Sequence, residues 1–351
     1  MTSSRVSDDV LTWLLDSDPA LRWQVERDLL RAPDDVWRAT RARIATEGLG
    51  ARLLAVQDEA GTWAGGAFFP AGFDFTGPEA QPGAGQPWTA TTWSLNTLRE
   101  WGLDPEVLRE RDTVRLIGVN TRWEYDDLPY WDGEVDACIN GFTLANGVWL
   151  GADVRGLADW FVAHQMDEGG WNCEWVEGST RASVRSTLNS LKGLLVYEEA
   201  TSGTSGTSGT EGAGGTGSTA GSDAVRQAQA RAEEYLLERH LVRRLTTGEP
   251  VADWVFRLAY PFRSFYDVLS ATDYFRAASL LRDTPPDARL AEAVEAVRAQ
   301  RQPDGTWLQA RRHPGRVWFE VDVDAGQPSK WLTFHAARVL GWWDDSVHGS
   351  C

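Results

Sequence analysis

A seven-residue turn recurs along this chain. It reads Gln57-Asp58-Glu59-Ala60-Gly61-Thr62-Trp63, then Gln165-Met166-Asp167-Glu168-Gly169-Gly170-Trp171, and in a variant form Arg301-Gln302-Pro303-Asp304-Gly305-Thr306-Trp307. A turn repeated at wide spacing signals a repeat architecture, which constrains the fold more than any single motif does. Each position has a physical reason. Glycine permits a tight backbone, aspartate caps the turn or the next helix, and tryptophan plugs the gap between neighbouring helices.

The stretches around these turns carry apolar residues at helical spacing. Six of them open on small or polar residues and continue as apolar runs, at 19–30, 88–101, 136–150, 183–200, 266–281 and 331–343. Others, at 34–46, 105–118, 154–165, 223–239 and 287–300, with 8–15 as a sixth, are charged along one side. Strict alternation is scarce, so strands beyond short pieces are not expected. Inner helix, outer helix and turn, taken six times, predict an all-α fold: an (α/α)6 double-layered toroid. One such ring uses up all 351 residues as a single domain, 1–351. The segment 201–222 is almost purely Gly, Ser, Thr and Ala and cannot bury apolar surface. Helical patterning resumes on both sides of it, so it reads as a flexible insertion within the ring.

The net charge of −17, with no basic stripe, argues against nucleic acid or anionic lipid as a partner. No run of about 20 apolar residues is present to span a membrane, and residues 1–9 lack the basic-then-apolar order of a secretory signal. The cysteines, Cys138, Cys173 and Cys351, are too few for a disulfide framework, which makes a reducing cytoplasm the expected compartment. The 19 tryptophans exceed ordinary usage. Turn plugs and core positions account for some. Others can line a central apolar cavity, where each aromatic face stabilises a cation by roughly 1–2 kcal/mol.

The Q-x-x-x-G-x-W turns, the helix pairs and the tryptophan abundance resemble the terpenoid cyclase and protein prenyltransferase toroid superfamily. More narrowly, Gly133-Glu134-Val135-Asp136-Ala137-Cys138-Ile139-Asn140-Gly141 and Asp167-Glu168-Gly169-Gly170-Trp171-Asn172-Cys173-Glu174 are similar to small single-domain bacterial squalene-cyclase-like proteins. The resemblance runs from about Pro19 to Trp343. It implies an enzyme that cyclises or rearranges an apolar isoprenoid, a small hydrophobic substrate, in a Trp-lined central cavity with a buried Asp as acid. Two alternatives stay open: an isoprenoid-binding protein that retains the ring without chemistry, and a carbohydrate-active hydrolase or lyase using paired carboxylates. The D-x-D-D motif of protonating cyclases is absent. Its nearest fragments, Glu134-Val135-Asp136-Ala137 and Asp322-Val323-Asp324-Ala325, each lack the final acid. A full squalene cyclase is roughly twice this length, which favours a shorter substrate.

In such a ring the inner-helix starts face the cavity. The densest polar cluster is Glu134, Asp136, Cys138 and Asn140. Asp136 is either a plain N-cap, worth about 1 kcal/mol, or a buried acid whose pKa desolvation raises until it holds a proton to donate. Tyr266 and Asp267 offer a phenol and a second carboxylate, Asp267 having the same N-cap reading. With Glu134 and Asp136 these are the expected catalytic residues. Cys138, Asn140, Trp131, Cys173, Arg181, Arg185, Trp331 and His335 are the expected substrate-binding set. Arg181 and Arg185, four apart on one helical face, suit a diphosphate or carboxylate, or else pair with Glu174 or Asp136. The prenyltransferase resemblance points to zinc at Asp136 and Cys138. The comparable stretch 182–187 offers Arg185 and no histidine, leaving Cys173, Glu174 or a remote His335 to fill a four-ligand set. No cofactor is expected.

Overall fold

The computed structural model describes residues 6–202 and 219–348. The chain is mostly helical. In order the helices are α1 (Asp8–Leu15), α2 (Pro19–Asp28), α3 (Asp34–Ala42), α4 (Gly48–Leu54), α5 (Thr91–Trp101), α6 (Glu106–Arg109) and α7 (Thr113–Asn120), followed by α8 (Ala137–Leu150), α9 (Arg155–Ala163), α10 (Val184–Ser202), α11 (Thr219–Leu237), α12 (Val268–Arg282), α13 (Ala291–Arg298) and α14 (Lys330–His348). The described strands are one antiparallel pair, β1 (Trp307–Leu308) with β2 (Pro328–Ser329). No described helix is long and apolar enough to cross a membrane. Most of the Gly/Ser/Thr-rich segment expected as a flexible insertion, and Cys351, lie outside the described residues. Residues 201–202 end α10 and 219–222 begin α11.

Burial separates two kinds of helix. The six apolar runs become α2, α5, α8, α10, α12 and α14, and α8 is buried at every position from Ala137 to Gly147. By contrast α9 buries Leu157, Ala158 and Phe161, and α13 buries Ala293, Val294 and Val297, the single stripe of a helix with one solvated face. Local chemistry sets the ends. Asp18 caps α2 through the Ala20 N–H at 2.9 Å, with Pro19 at the first helical position. Gly102, at φ 86°, ends α5 in the left-handed region. The run at 105–118 divides into α6 and α7 because Asp112 adopts φ 56° between them.

The buried helices pack in sequence. α5 contacts α8, α8 contacts α10, α10 contacts α12, α12 contacts α14, and α14 returns to α2. The Trp23 indole donates to the Trp101 carbonyl at 2.7 Å, which ties α2 to α5. α8 and α10 meet backbone to backbone: a Cβ added at Gly141 would stand 2.5 Å from the Asn189 carbonyl oxygen. One apolar cluster extends from Val10 to Leu340.

The three turns repeat one hydrogen-bond pattern. The indole N–H of Trp63, Trp171 and Trp307 donates to a carbonyl ten residues earlier, on Leu53, Phe161 and Val297, at 2.9, 3.0 and 2.9 Å. The backbone N–H of each donates to a threonine hydroxyl in the first turn of the next buried helix: Thr91, Thr187 and Thr333, at 3.2, 3.1 and 3.0 Å. Gln57 and Gln165 each donate to the carbonyl of the turn glycine, Gly61 and Gly169. Where the third turn has Arg301, its guanidinium lies 5.8 Å over the Trp307 ring instead.

At the opposite end, ion pairs join the first buried helix to the last two. Arg338 donates to Asp273 at 2.8 Å and to Asp28 at 3.3 Å, and Arg276 stands 3.8 Å from both carboxylates. Burial would raise the Asp273 carboxyl, but Arg338, His335 and Arg276 override it and hold it far below the usual carboxylate range. His335 Nδ1 is 3.3 Å from Asp273. Burial and then Arg338 push that imidazole down to about 4, against the pull of Asp273.

Thr187 both accepts the Trp171 N–H and donates to the Trp171 carbonyl at 3.3 Å. Thr187→Val leaves the Trp171 N–H buried and unpaired, while the Trp171 carbonyl keeps the Ser183 N–H, so urea unfolding is expected to show a loss of about 1–3 kcal/mol. A variant as stable as the parent would refute the importance of this contact. For His335 the folded pKa lies below its unfolded value of 6.5. As pH falls from 6.5 towards 4 the unfolded chain takes the proton first, and stability is lost on the order of 3 kcal/mol at most. Asp267, pushed up to about 6, acts in the opposite sense between 3.8 and 6, so the comparison must be with His335→Gln. The parent is expected to lose stability more steeply than His335→Gln over that window; parallel curves would exclude the buried neutral histidine.

Candidate functional site

The start of α8 is held by Asn140. Its Oδ1 accepts the Glu134 N–H at 2.8 Å and its Nδ2 donates to the Glu134 carbonyl at 2.6 Å, with the side chain fully buried. Asn140 thus positions the loop that carries both acids rather than facing a ligand. Asp136 occupies the N-cap position, yet its carboxylate makes no cap hydrogen bond. Glu134 instead accepts the Asp136 N–H at 2.8 Å. Burial pushes Glu134 up to about 7, against that hydrogen bond. Burial and then the charge of Glu177 raise Asp136, with Arg185 partly offsetting them. These two half-buried carboxyls retain protons more readily than free ones.

Cys138, the second residue of α8, faces Cys173. The Sγ atoms are 3.1 Å apart and both thiols are free. Asn189 Nδ2 approaches Cys138 Sγ at 3.5 Å, and the Ser186 hydroxyl donates to Cys173 Sγ at 3.4 Å. The neighbouring thiol, with Asn189 and Arg185, lowers Cys138 despite its burial, while Cys173 is raised by Cys138 and by its own burial. Cys138 is therefore the one that ionises.

Around these thiols stand aromatic walls. Trp88, Trp93, Cys138 and Phe142 form one buried cluster, with Phe68 and Phe265 packed on it. Trp93 meets Trp88 at 4.6 Å, Phe68 at 4.6 Å and Phe142 at 5.6 Å between ring centroids. Trp88 meets Phe265 at 6.0 Å, and His313 stacks on Phe265 at 4.0 Å. Segment 310–329 lies across this cluster as a strap. The Trp88 N–H donates to Arg316 at 2.8 Å, its indole to Pro314 at 2.9 Å, and the Trp318 indole to Thr89 at 3.0 Å. The expected open Trp-lined cavity is thus replaced by packed rings under a strap. The space between Trp88, Tyr260, Arg263 and His313 is about 20 Å³, room for a single water. A larger recess of about 630 Å³, open to solvent, lies on the far side of the strap between Trp13, Leu21, Asp322 and Trp331.

The remaining expected residues fall elsewhere. Asp267 caps α12 through the Ser270 N–H at 2.7 Å, so its carboxylate is spent on the helix. The Tyr266 hydroxyl donates to the Leu241 carbonyl at 2.6 Å inside the packed core, away from any mouth. Trp131 donates its indole N–H to Val114 in the α7 layer. Trp331 stacks on Tyr260 at 4.4 Å, and His335 belongs to the Asp273 network. Arg181 precedes α10, is exposed, and stands 3.5 Å from Glu168. Arg185 alone of that pair reaches the site, donating to the Ser264 carbonyl and hydroxyl at 2.8 and 2.6 Å. In the second acidic fragment Asp322 accepts from Ser329 and Asp324 pairs with Arg312 at 3.1 Å, both within the strap. Among the described residues no three His, Cys, Asp or Glu side chains gather to share a metal. Asp136 and Cys138 thus do not make up the four-ligand set zinc needs. Sequence reasoning missed Trp88, Phe142, Arg263, Phe265, Arg311 and His313; the last four come from loops, which carry no periodic signal.

No family model matches the chain, and no curated protein matches it. A solved structure of a protein from Actinoplanes is similar over 93% of this chain and 90% of its own, at 15% identity and a TM-score of 0.40. A likeness that distant carries no argument about fold or function.

Two thiols 3.1 Å apart need little movement to bond. A hydroperoxide is expected to convert Cys138, through its sulfenic acid, to a disulfide with Cys173, releasing water and lowering the mass by about 2 Da. Peptide mapping should link these two residues and leave Cys138→Ser unlinked. Stepwise oxidation of single cysteines without a link would rule the pairing out.

Proposed function

We propose that the chain converts an apolar isoprenoid by cyclisation or rearrangement, using Asp136 and Glu134 as its acids. We further propose that α2, α5, α8, α10, α12 and α14 form the inner layer of an (α/α)6 toroid in one domain; the return contact of α14 on α2 supports that arrangement. The observation that carries the functional reading is the pair of half-buried carboxyls with raised pKa at the start of α8, which joins the aromatic cluster through Cys138.

A carboxyl with pKa near the working pH can hold a proton and still release it. Transfer of that proton to an alkene leaves a carboxylate and a carbocation. The strap must shift to admit a substrate, since the packed rings leave room for only one water; Trp88, Trp93 and Phe142 then present aromatic faces to the cation, each contributing roughly 1–2 kcal/mol when desolvated. The strap excludes water that would otherwise trap it. Loss of a proton from the rearranged cation to the carboxylate restores the acid. Asn140 sustains the geometry by fixing the loop that carries both carboxyls.

The test is incubation of the protein with a panel of prenyl diphosphates, prenyl alcohols and squalene, analysed by gas chromatography–mass spectrometry. A product is expected, with turnover reduced by about 10²-fold or more in Asp136→Asn and by a smaller factor in Glu134→Gln. Undiminished turnover in both variants would overturn the acid assignment. Retention of a substrate without any product would favour the binding-protein reading.

A further inference from the structure

Three arginines stand against the rings of the aromatic cluster and its neighbour Phe265. Arg185 lies 4.8 Å and Arg311 5.3 Å over the same Phe265 ring, and Arg263 lies 5.0 Å over Trp88. Trp88 and Phe265 are neighbours, and His313, carried by the strap, stacks on Phe265 and lies 6.4 Å from Trp88. The chain has 51 acidic residues for 34 basic ones, and most arginines found partners. Among the described residues, none of these three is within ion-pair distance of a carboxylate. The nearest acids act only at longer range, Asp136 on Arg185 and Glu100 and Glu320 on Arg263.

The hydrogen-bonding capacity is equally unspent. Arg185 gives two donors to Ser264. Among the described residues the Arg263 side chain has no hydrogen-bond partner, and Arg311 Nε and His313 Nδ1 are both buried without one. Buried polar nitrogens are paired in nearly all folded proteins, so two orphans in one cluster require an explanation. Gathering three guanidiniums in a half-dry site is unfavourable unless an anion joins them. The field shows in the surroundings: burial and then Arg311, Arg263 and Arg185 push the His313 imidazole down to about 3, and burial lowers Arg263 to about 10.

We propose that Arg185, Arg263, Arg311 and the neutral His313 form an oxyanion site, so that a ligand admitted by a shift of the strap carries a phosphate or carboxylate head with its apolar part against Trp88, Trp93 and Phe142. Guanidinium forks suit oxyanions bidentately, and the flanking rings keep the cations close together. Arg311 and His313 ride on the strap, whereas Arg185 comes from α10 and Arg263 from the loop before α12. A bound head would therefore tie the strap down. This inference deepens the proposed function by giving the substrate class, but the site stands on binding and not on turnover.

The experiment is thermal unfolding and calorimetric titration of the full chain with inorganic diphosphate, inorganic phosphate and acetate, against chloride at matched ionic strength. At least one oxyanion should raise the unfolding midpoint and bind at least tenfold more tightly than chloride. The strongest responder distinguishes a phosphate head from a carboxylate head. Arg311→Met and Arg263→Met should each weaken that binding at least tenfold, while without anion they unfold no earlier than the parent, because they remove a cation that had no counter-charge. Glu134→Gln should keep the full anion response even where it slows turnover, which separates failure of this site from failure of the acid chemistry. No oxyanion response, or a response that survives both arginine substitutions, would overturn the proposal. So would arginine variants that unfold earlier yet respond to the anion unchanged, which is the behaviour of purely structural arginines.

Discussion

The packing of this chain depends on a tryptophan that donates two hydrogen bonds in two directions. In each repeated turn the indole reaches back to the end of the preceding helix, and the backbone N–H reaches forward to a threonine on the next buried helix. Both donors are buried, and burial makes their satisfaction obligatory. The start of α10 is thereby fixed relative to α9, and the starts of α5 and α14 relative to α4 and α13. Arg185 and Ser186 flank the threonine on α10, Trp93 lies just after it on α5, and Trp331 and His335 flank it on α14. The scaffold contact and the site share the same turn of helix.

Much of this was legible. The buried helices read clearly because α8 and its counterparts are apolar nearly all round, and half-solvated helices such as α9 and α13 read as single stripes. α4 escaped notice, since Gly48 and Gly50 look like helix breakers; in the structure it supplies the Leu53 carbonyl to Trp63. The acids at the start of α8 were found, but their role was not fixed by spacing, because capping depends on where the carboxylate turns. Arg181 was misjudged because α10 starts at Val184, so the assumed helical face does not extend to it. The clearest loss was the wall built from Arg263, Phe265, Arg311 and His313. They lie far apart along loops, and only tertiary contact brings them together.

The site brings charges of both signs together. Carboxyls that prefer to be protonated stand at the start of α8, and arginines outside ion-pair distance of any described carboxylate stand against Trp88 and Phe265. On the proposal above, an anionic head neutralises those guanidiniums, whose repulsion would otherwise oppose aromatic stabilisation of a cation. Cys138 packs in the same aromatic cluster, so its oxidation state would alter that wall.

The close backbone contact of α8 and α10 at Gly141 makes one wall of the chamber stiff, since those helices cannot separate without losing a contact no side chain could replace. The opposite wall is the strap, anchored near Trp88 by a few hydrogen bonds to loop carbonyls. Exchange of any occupant must therefore pass through the strap, and residence time is set there. On the proposed reading, affinity and exchange are coupled, because two of the four groups proposed to hold the anion ride on the strap that must let go.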